Sequence, residues 1–249
     1  MNMMRILPRL AFLAALAPAA AFSAGGHFAL DTAPIDNTDV ASLQRGARTF
    51  VNYCLNCHSA QYMRYNRLAD LGLTEQQIKD NLMFATEKVG DTMSVAMKSK
   101  DAKVWFGAQP PDLSVIARSR GADWLYTYLR TYYRDESRPT GWNNLAFPSV
   151  GMPHVLWELQ GQQELEAQKE GGEGEHGAHA APKLVLAQPG ALTPKEYDAF
   201  VADLVNYLVY MGEPARASRV QLGILTLLFL GVLFVLTYFL KKEYWKDVH

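Results

Sequence analysis

From Val220 to Leu240 the chain reads VQLGILTLLFLGVLFVLTYFL, without a single charge. About 20 such residues cross the ~30 Å of hydrocarbon in a bilayer, and every backbone N–H and C=O inside it must be satisfied within the segment, so only a helix will serve. The stretch is apolar on every face, as a helix surrounded by lipid must be. Arg216 and Arg219 precede it, and Lys241, Lys242 and Lys246 follow. That imbalance predicts an anchor over residues 216–241 and a short cytoplasmic tail over 242–249.

The opposite end agrees with this orientation. MNMMRILPRLAFLAALAPAAAFSAGG has a basic start (Arg5, Arg9), an apolar run too short to span comfortably, and small residues near Ser23 and Ala24. This is the layout of a secretory signal, expected over residues 1–24. Residues 25–215 then form one exported body on a membrane leash, in an oxidising compartment. Its balance excludes a polybasic partner surface: 24 basic and 25 acidic side chains overall leave 19 and 23 once those of the leader and tail are set aside. A nucleic-acid ligand is not expected. A mildly acidic body would suit a basic partner.

Helices dominate the exported part. Asp36, Asn37 and Thr38 offer N-caps ahead of Val40, Leu43, Ala47, Phe50 and Val51, a helical spacing that predicts a helix running into Tyr53. Thr74 and Gln77 read as a capping box before Ile78, Leu82, Ala85 and Val89. GADWLYTYLRTYY predicts a helix over 121–133, and Thr193, Pro194 and Glu196 open a clear one that Gly212 and Pro214 close. No alternation is long enough to suggest a sheet. DESRPTGWNNLAFPSVGMPHV reads as an ordered, irregular loop, whereas the acidic stretch over about 158–182 reads as a mobile, solvated insertion.

At the end of the first helix stand the two cysteines, in NYCLNCHSA. A redox disulfide would want a βαβ setting, and a structural zinc site would want a second ligand pair nearby. Cys-x-x-Cys-His in an exported chain is instead the pattern of covalent c-type haem. Cys54 and Cys57 would form thioethers with the two vinyl groups, and His58 would be the proximal ligand. For the other face, Met63, Met83, Met93, Met97 and Met211 sit on or beside helix faces where core packing is expected. Met152 lies in a loop whose backbone Pro148, Gly151 and Pro153 restrict, so it is the expected second ligand, with His154 the alternative. His176 and His179, in the acidic stretch, support nothing specific.

CLNCHS with MRYNRLADLG downstream, GAQPPDLSVIARSRG, NLAFPSVGMP and a late membrane helix with a basic tail together resemble the cytochrome c1 family in its bacterial form. The resemblance covers nearly the whole chain. It implies an all-α, cytochrome c-like haem domain plus one C-terminal transmembrane helix, with one covalent haem c held by Cys54, Cys57, His58 and Met152. It further implies that Pro111 offers its carbonyl to the proximal imidazole and that Arg120, rather than Arg118, meets a haem propionate. Implied partners are a cytochrome b subunit, a Rieske iron–sulfur protein and a soluble or anchored cytochrome c, with the haem domain in the periplasm and the anchor in the inner membrane. The chain would then be an electron-transfer subunit rather than a catalyst alone, a stand-alone tethered shuttle to a terminal oxidase being the alternative. Two departures stand out: Val104, Trp105 and Phe106 occupy the place of an Asn common in relatives, and Trp124 replaces a Tyr. Gly223 and Gly231 would permit close packing of the anchor on a neighbouring helix.

Overall fold

A computed structural model describes residues 28–95, 97–166 and 182–247. The expected leader, His176 and His179 lie outside the described residues. Eight α-helices are present among them: α1 Val40–Thr49, α2 Glu75–Leu82, α3 Ser99–Phe106, α4 Ile116–Arg120, α5 Ala122–Arg130, α6 Trp157–Gln160, α7 Pro194–Gly212 and α8 Arg216–Tyr244.

Capping chemistry explains most of the helix starts. Both expected capping boxes form, Thr74 with Gln77 and Thr193 with Glu196, and Pro194 occupies the first turn of α7. At α1 the cap moves one residue beyond the expected group: Asp39 accepts from the Ser42 N–H at 3.0 Å, while Asp36 holds Thr38 in a local turn. Helix α2 ends at Leu82, where Met83 turns extended, so Ala85 and Val89 fall beyond it. Helix α5 stops at Arg130, three residues before the expected end, because Tyr132 is already paired in a strand.

Three antiparallel two-stranded ladders were not expected from the sequence: β1 Ala60–Arg64 with β2 Thr92–Met93, β3 Tyr132–Arg134 with β4 Trp142–Asn144, and β5 Gly161–Leu165 with β6 Leu184–Pro189. They are short or bulged, so no clean alternation marks them. The last corrects the boundary of the acidic insertion. Residues 158–160 complete α6 and Gly161–Leu165 pair with β6 around a bulge between Gln162 and Gln163, where the Gln163 amide donates to the carbonyls of Arg130 and Tyr132 at 2.9 Å each. At the base of this hairpin a Cβ on Gly161 would lie 2.2 Å from the Gln188 carbonyl, so only glycine lets the strands close.

The core is organised by α1 crossing α7. A Cβ added to Gly46 would lie 2.1 Å from the Asp203 carbonyl oxygen and 2.6 Å from the Cβ of Tyr207. Around this point Phe50 packs on Tyr207 with ring centroids 5.6 Å apart, and Asn206 donates to Ser42 Oγ at 2.9 Å and to the Asp36 carbonyl at 2.7 Å. At the rim Arg45 grips Asp203 through two bonds of 2.6 and 2.9 Å. Residues ahead of α1 strap across α5: Asp31 N–H donates to Thr127 Oγ1, Ala33 N–H to Asp123, and Arg130 bridges Asp31 and Asp198 at 2.6 Å each.

Helix α8 leaves this body. Within Ser218–Tyr244 an 18-residue window has a mean hydropathy of 2.5 and none of it is buried against the rest of the described protein, so the helix is long and apolar enough to cross a membrane. The fold is thus a mainly helical domain with one long apolar helix at its C-terminal end.

Alanine ordinarily improves on glycine inside a helix by about 0.8–1.0 kcal/mol. At Gly46 the added methyl meets a backbone carbonyl that cannot swing aside. Gly46→Ala should therefore lower stability, by about 1–3 kcal/mol, in denaturant titrations of the full chain in detergent. An unchanged or raised midpoint would mean that the helices do not approach so closely.

Candidate haem site

The last turn of α1 widens. Phe50–Cys54 form a π-helical turn, Leu55 N–H reaching back to the Phe50 carbonyl at 3.0 Å, and His58 N–H closes on the Cys54 carbonyl at 2.8 Å. Such bulges collect at functional sites. Here the extra residue brings Cys54, Cys57 and His58 onto one tight turn at the rim of the core. Both thiols are free and partly buried. Burial pushes the Cys54 thiol up to about 12 and raises Cys57 as well.

His58 is oriented from behind. Its Nδ1 lies 2.7 Å from the Pro111 carbonyl oxygen, which accepts only, so Nδ1 carries the proton and Nε2 keeps its lone pair. Burial holds the imidazole below its usual range, although Pro111 and Asp112 pull the other way. A neutral ring with one nitrogen engaged is how a metal-ligating histidine is held. The segment behind it is laced to the motif: Leu113 N–H donates to the Ser59 carbonyl at 2.8 Å, Asp112 accepts from Gln61 N–H and Ser114 N–H at 2.8 Å each, and Ser114 Oγ accepts from Tyr62 N–H at 3.0 Å. Pro111 was expected from the resemblance. The stitches by Asp112 and Ser114 were not, although an Asp-x-Ser turn after a Pro-Pro pair is a signal for them.

The methionine loop is built by two buried asparagines at the end of β4. Asn143 Oδ1 accepts from Asn144 N–H at 2.9 Å and Ser149 N–H at 2.8 Å. Asn144 Oδ1 accepts from Ala146 N–H and Phe147 N–H, while its amide donates to the Tyr128 carbonyl at 2.7 Å. Arg138 donates to the Ser149 carbonyl at 2.9 Å, holding Ser149 at φ 64°, a left-handed conformation uncommon outside glycine. Met152 follows, partly buried, with its sulfur 3.4 Å from the Tyr128 hydroxyl. The other methionines named from the sequence are mostly core, Met63, Met83, Met93 and Met211 all being buried. Met97 lines a cavity of about 40 Å³ with Cys57, Ala102 and Gln109.

His154, the alternative ligand, is committed to packing. Its ring stacks on Tyr132 at 4.7 Å and meets Trp142 edge-on at 5.0 Å. Burial lowers it to about 4, so it is neutral at ordinary pH.

The two arginines separate cleanly. Arg118 lies 4.0 Å from Glu213 at the end of α7. Arg120 points the other way, its guanidinium over Trp124 at 5.0 Å and Phe147 at 5.9 Å. Trp124 in turn stacks on Tyr128 at 4.8 Å and 11°. Arg120, Trp124, Tyr128 and the Met152 sulfur thus form one contact series. The halves of the site meet where a Cβ on Gly151 would touch the Phe106 carbonyl at 3.4 Å, close before Pro111. Trp105, one of the three residues expected at the place of an Asn in relatives, is 63% exposed on α3.

Tyr128, Tyr132, Asn143 and Asn144 escaped the sequence reading. Trp124, Tyr128 and Tyr132 recur every fourth residue, two on α5 and the third just beyond it, and that spacing carried the signal.

The sequence profile of the Cytochrome C1 family matches residues 31–248. An Allochromatium vinosum protein named cytochrome c1 is 52% identical over 94% of this chain and 96% of its own length. A Nitrosomonas europaea protein named ammonia monooxygenase gamma subunit is 54% identical over 99% and 100%. Cytochrome c1 of Rhodospirillum rubrum is 30% identical over 84% and 83%.

Removing the Asn144 side chain strips the Tyr128 carbonyl and two loop N–H groups of their partners. Asn144→Ala should cost about 2–3 kcal/mol and open residues 145–152 to limited proteolysis. Wild-type resistance of that segment would show that the loop holds itself.

Proposed function

The chain belongs to the cytochrome c1 family, and from that membership we propose that it is the membrane-anchored haem subunit of a quinol–cytochrome c reductase, taking an electron from a Rieske iron–sulfur protein and passing it to a cytochrome c. It carries one covalently attached haem c. The observation that supports this role best is the proximal turn, where Cys54, Cys57 and a His58 braced by Pro111 share one segment.

The residues present fit the group. Cys54 and Cys57 would hold it through thioethers, His58 Nε2 and the Met152 sulfur would ligate its iron, and Arg120 would face a propionate. Bound there, the haem supplies the one-electron chemistry. The protein's own task is to keep its ligands still. His58 is fixed by the Pro111 carbonyl, and Met152 hangs from a loop that Asn143, Asn144 and Arg138 brace. Neither side chain has to rearrange when the charge of the site changes. No acid, base or nucleophile is required, so the reaction belongs to the assembly and this chain is its electron exit.

The membrane helix gives that exit a fixed height. Basic residues on the two sides of α8 and the leader-like N-terminus favour a periplasmic head and a cytoplasmic C-terminus in a bacterial inner membrane. On this reading residues 1–24 are a signal, 25–215 the exported domain, 216–241 the anchor and 242–249 the tail. A cytochrome b subunit is the partner expected against α8.

The Nitrosomonas relative's name favours a second reading, an electron-transfer subunit that accompanies a monooxygenase. Isolation of the full chain from its own membrane separates the two: a b-type cytochrome and a Rieske protein should accompany it, and monooxygenase subunits in their place would overturn the assignment. Met152→Leu tests the ligand set. It should remove the thioether-to-iron charge-transfer band of the oxidised protein and lower the midpoint potential by hundreds of millivolts, within the roughly 0.8 V that axial ligands command. A wild-type band would exclude Met152.

A further inference from the structure

We propose that Tyr132 and Tyr128 form a one-way hydrogen-bond relay onto the Met152 sulfur, and that this relay raises the reduction potential of the site. The inference rests on Met152 being the second axial ligand.

The direction follows from what each atom can do. A thioether sulfur has lone pairs and no proton, so at 3.4 Å it can only accept from the Tyr128 hydroxyl. That contact uses the single proton of Tyr128. Its oxygen, 2.5 Å from the Tyr132 hydroxyl, is left as an acceptor, and Tyr132 must be the donor. A phenol that accepts a hydrogen bond becomes a stronger donor in turn, the more so in a buried, low-dielectric setting. Tyr132 is 1% exposed and Tyr128 9%.

Both rings are held so that the relay persists. Tyr128 is sandwiched through its stack on Trp124, and its own carbonyl is the acceptor for the Asn144 amide that braces the methionine loop. Tyr128 therefore grips Met152 twice, through the loop's scaffold and through the sulfur itself. Tyr132 is fixed by its stack on His154, two residues past Met152, and by pairing with Asn144 in the β3–β4 ladder. Spacing by four along α5 and just beyond it puts the two hydroxyls on one line toward the loop.

The consequence is electronic. A thioether stabilises oxidised iron only as far as it donates its lone pair, and a proton donor on the sulfur withdraws part of that density. The reduced state, which asks less of the ligand, is then favoured and the potential rises. Tyr132 touches neither sulfur nor iron and acts through Tyr128, as a positioning and polarising residue.

The test uses the haem-loaded full chain in detergent, carrying Tyr128→Phe, Tyr132→Phe, both, or Met152→Leu, read by equilibrium redox titration and by the thioether-to-iron band. Phenylalanine keeps the ring and its stacking. Tyr128→Phe should keep the band and lower the midpoint potential. Tyr132→Phe should lower it by less, and the double variant should match Tyr128→Phe alone, since Tyr132 has no route to the sulfur once Tyr128 has lost its hydroxyl. An unchanged potential in Tyr128→Phe, or a Tyr132→Phe effect that persists undiminished in the Tyr128→Phe background, overturns the relay. Persistence of the band in Met152→Leu would instead overturn the ligand assignment beneath it, so the two failures are distinct.

Discussion

The approach of α1 to α7 at Gly46 is the contact on which the rest of the head depends. With a glycine against the Asp203 carbonyl, the two helices come close enough for Phe50 to reach Tyr207 and for Asn206 to tie Ser42 to the chain ahead of α1. Helix α1 delivers the Cys-x-x-Cys-His turn as its direct continuation, so its axis sets where that turn points. Helix α7 receives α5 and α4 on its other surface, through Tyr197, whose hydroxyl donates to the Leu129 carbonyl, and through the Arg130 bridge to Asp198. One crossing therefore positions the Cys-x-x-Cys-His turn, helix α4 with Arg120 at its end, and helix α5 with Trp124 and Tyr128.

Opposite sides of the site are held by different means. The proximal side is laced along the backbone, with residues 59–62 and 112–114 exchanging bonds from which Asp112 and Ser114 complete the set. The distal side has no ladder of its own past Asn144. Side-chain amides replace one there: Asn143 and Asn144 are 9% and 1% exposed and between them satisfy the loop N–H groups of Ala146, Phe147 and Ser149. A buried network of this kind is rigid when every member is paired and fragile when one is lost. That is a suitable way to hold a loop which, on the proposed reading, presents the Met152 sulfur.

Much of this was legible in the sequence, and the division between what was and was not has physical causes. Capping boxes, the haem motif and the membrane span are local: Thr74 needs only Gln77, and Val220–Leu240 needs only its own composition. The resemblance to a known family supplied Pro111, whose contact with His58 no spacing reveals. Non-local pairing stayed hidden. Short bulged strands give no alternation, and β5 was hidden inside an acidic stretch because Gln162 and Gln163 earn their place through bonds to other strands rather than through burial of apolar surface. Tyr128 lies on helix α5 and Tyr132 in strand β3; that their hydroxyls meet each other, and that Tyr128 meets Met152, is decided by where the loop returns.

The joint between head and anchor follows from the same crossing. Helix α7 ends at Gly212 and α8 begins at Arg216, leaving Glu213, Pro214 and Ala215 as the whole connection. Glu213 closes it, bonded to Arg219 on α8 at 2.5 Å and lying 4.0 Å from Arg118 on α4, and these arginines hold its carboxyl below the usual range. A three-residue joint with a proline and a shared carboxylate has little freedom to swing. The direction in which α8 leaves the head is then inherited from α7, and through Gly46 from α1. A protein that must present one edge of a cofactor at a set height above a membrane needs this kind of continuity, in which the helix that crosses the cofactor-bearing helix leads almost directly into the anchor.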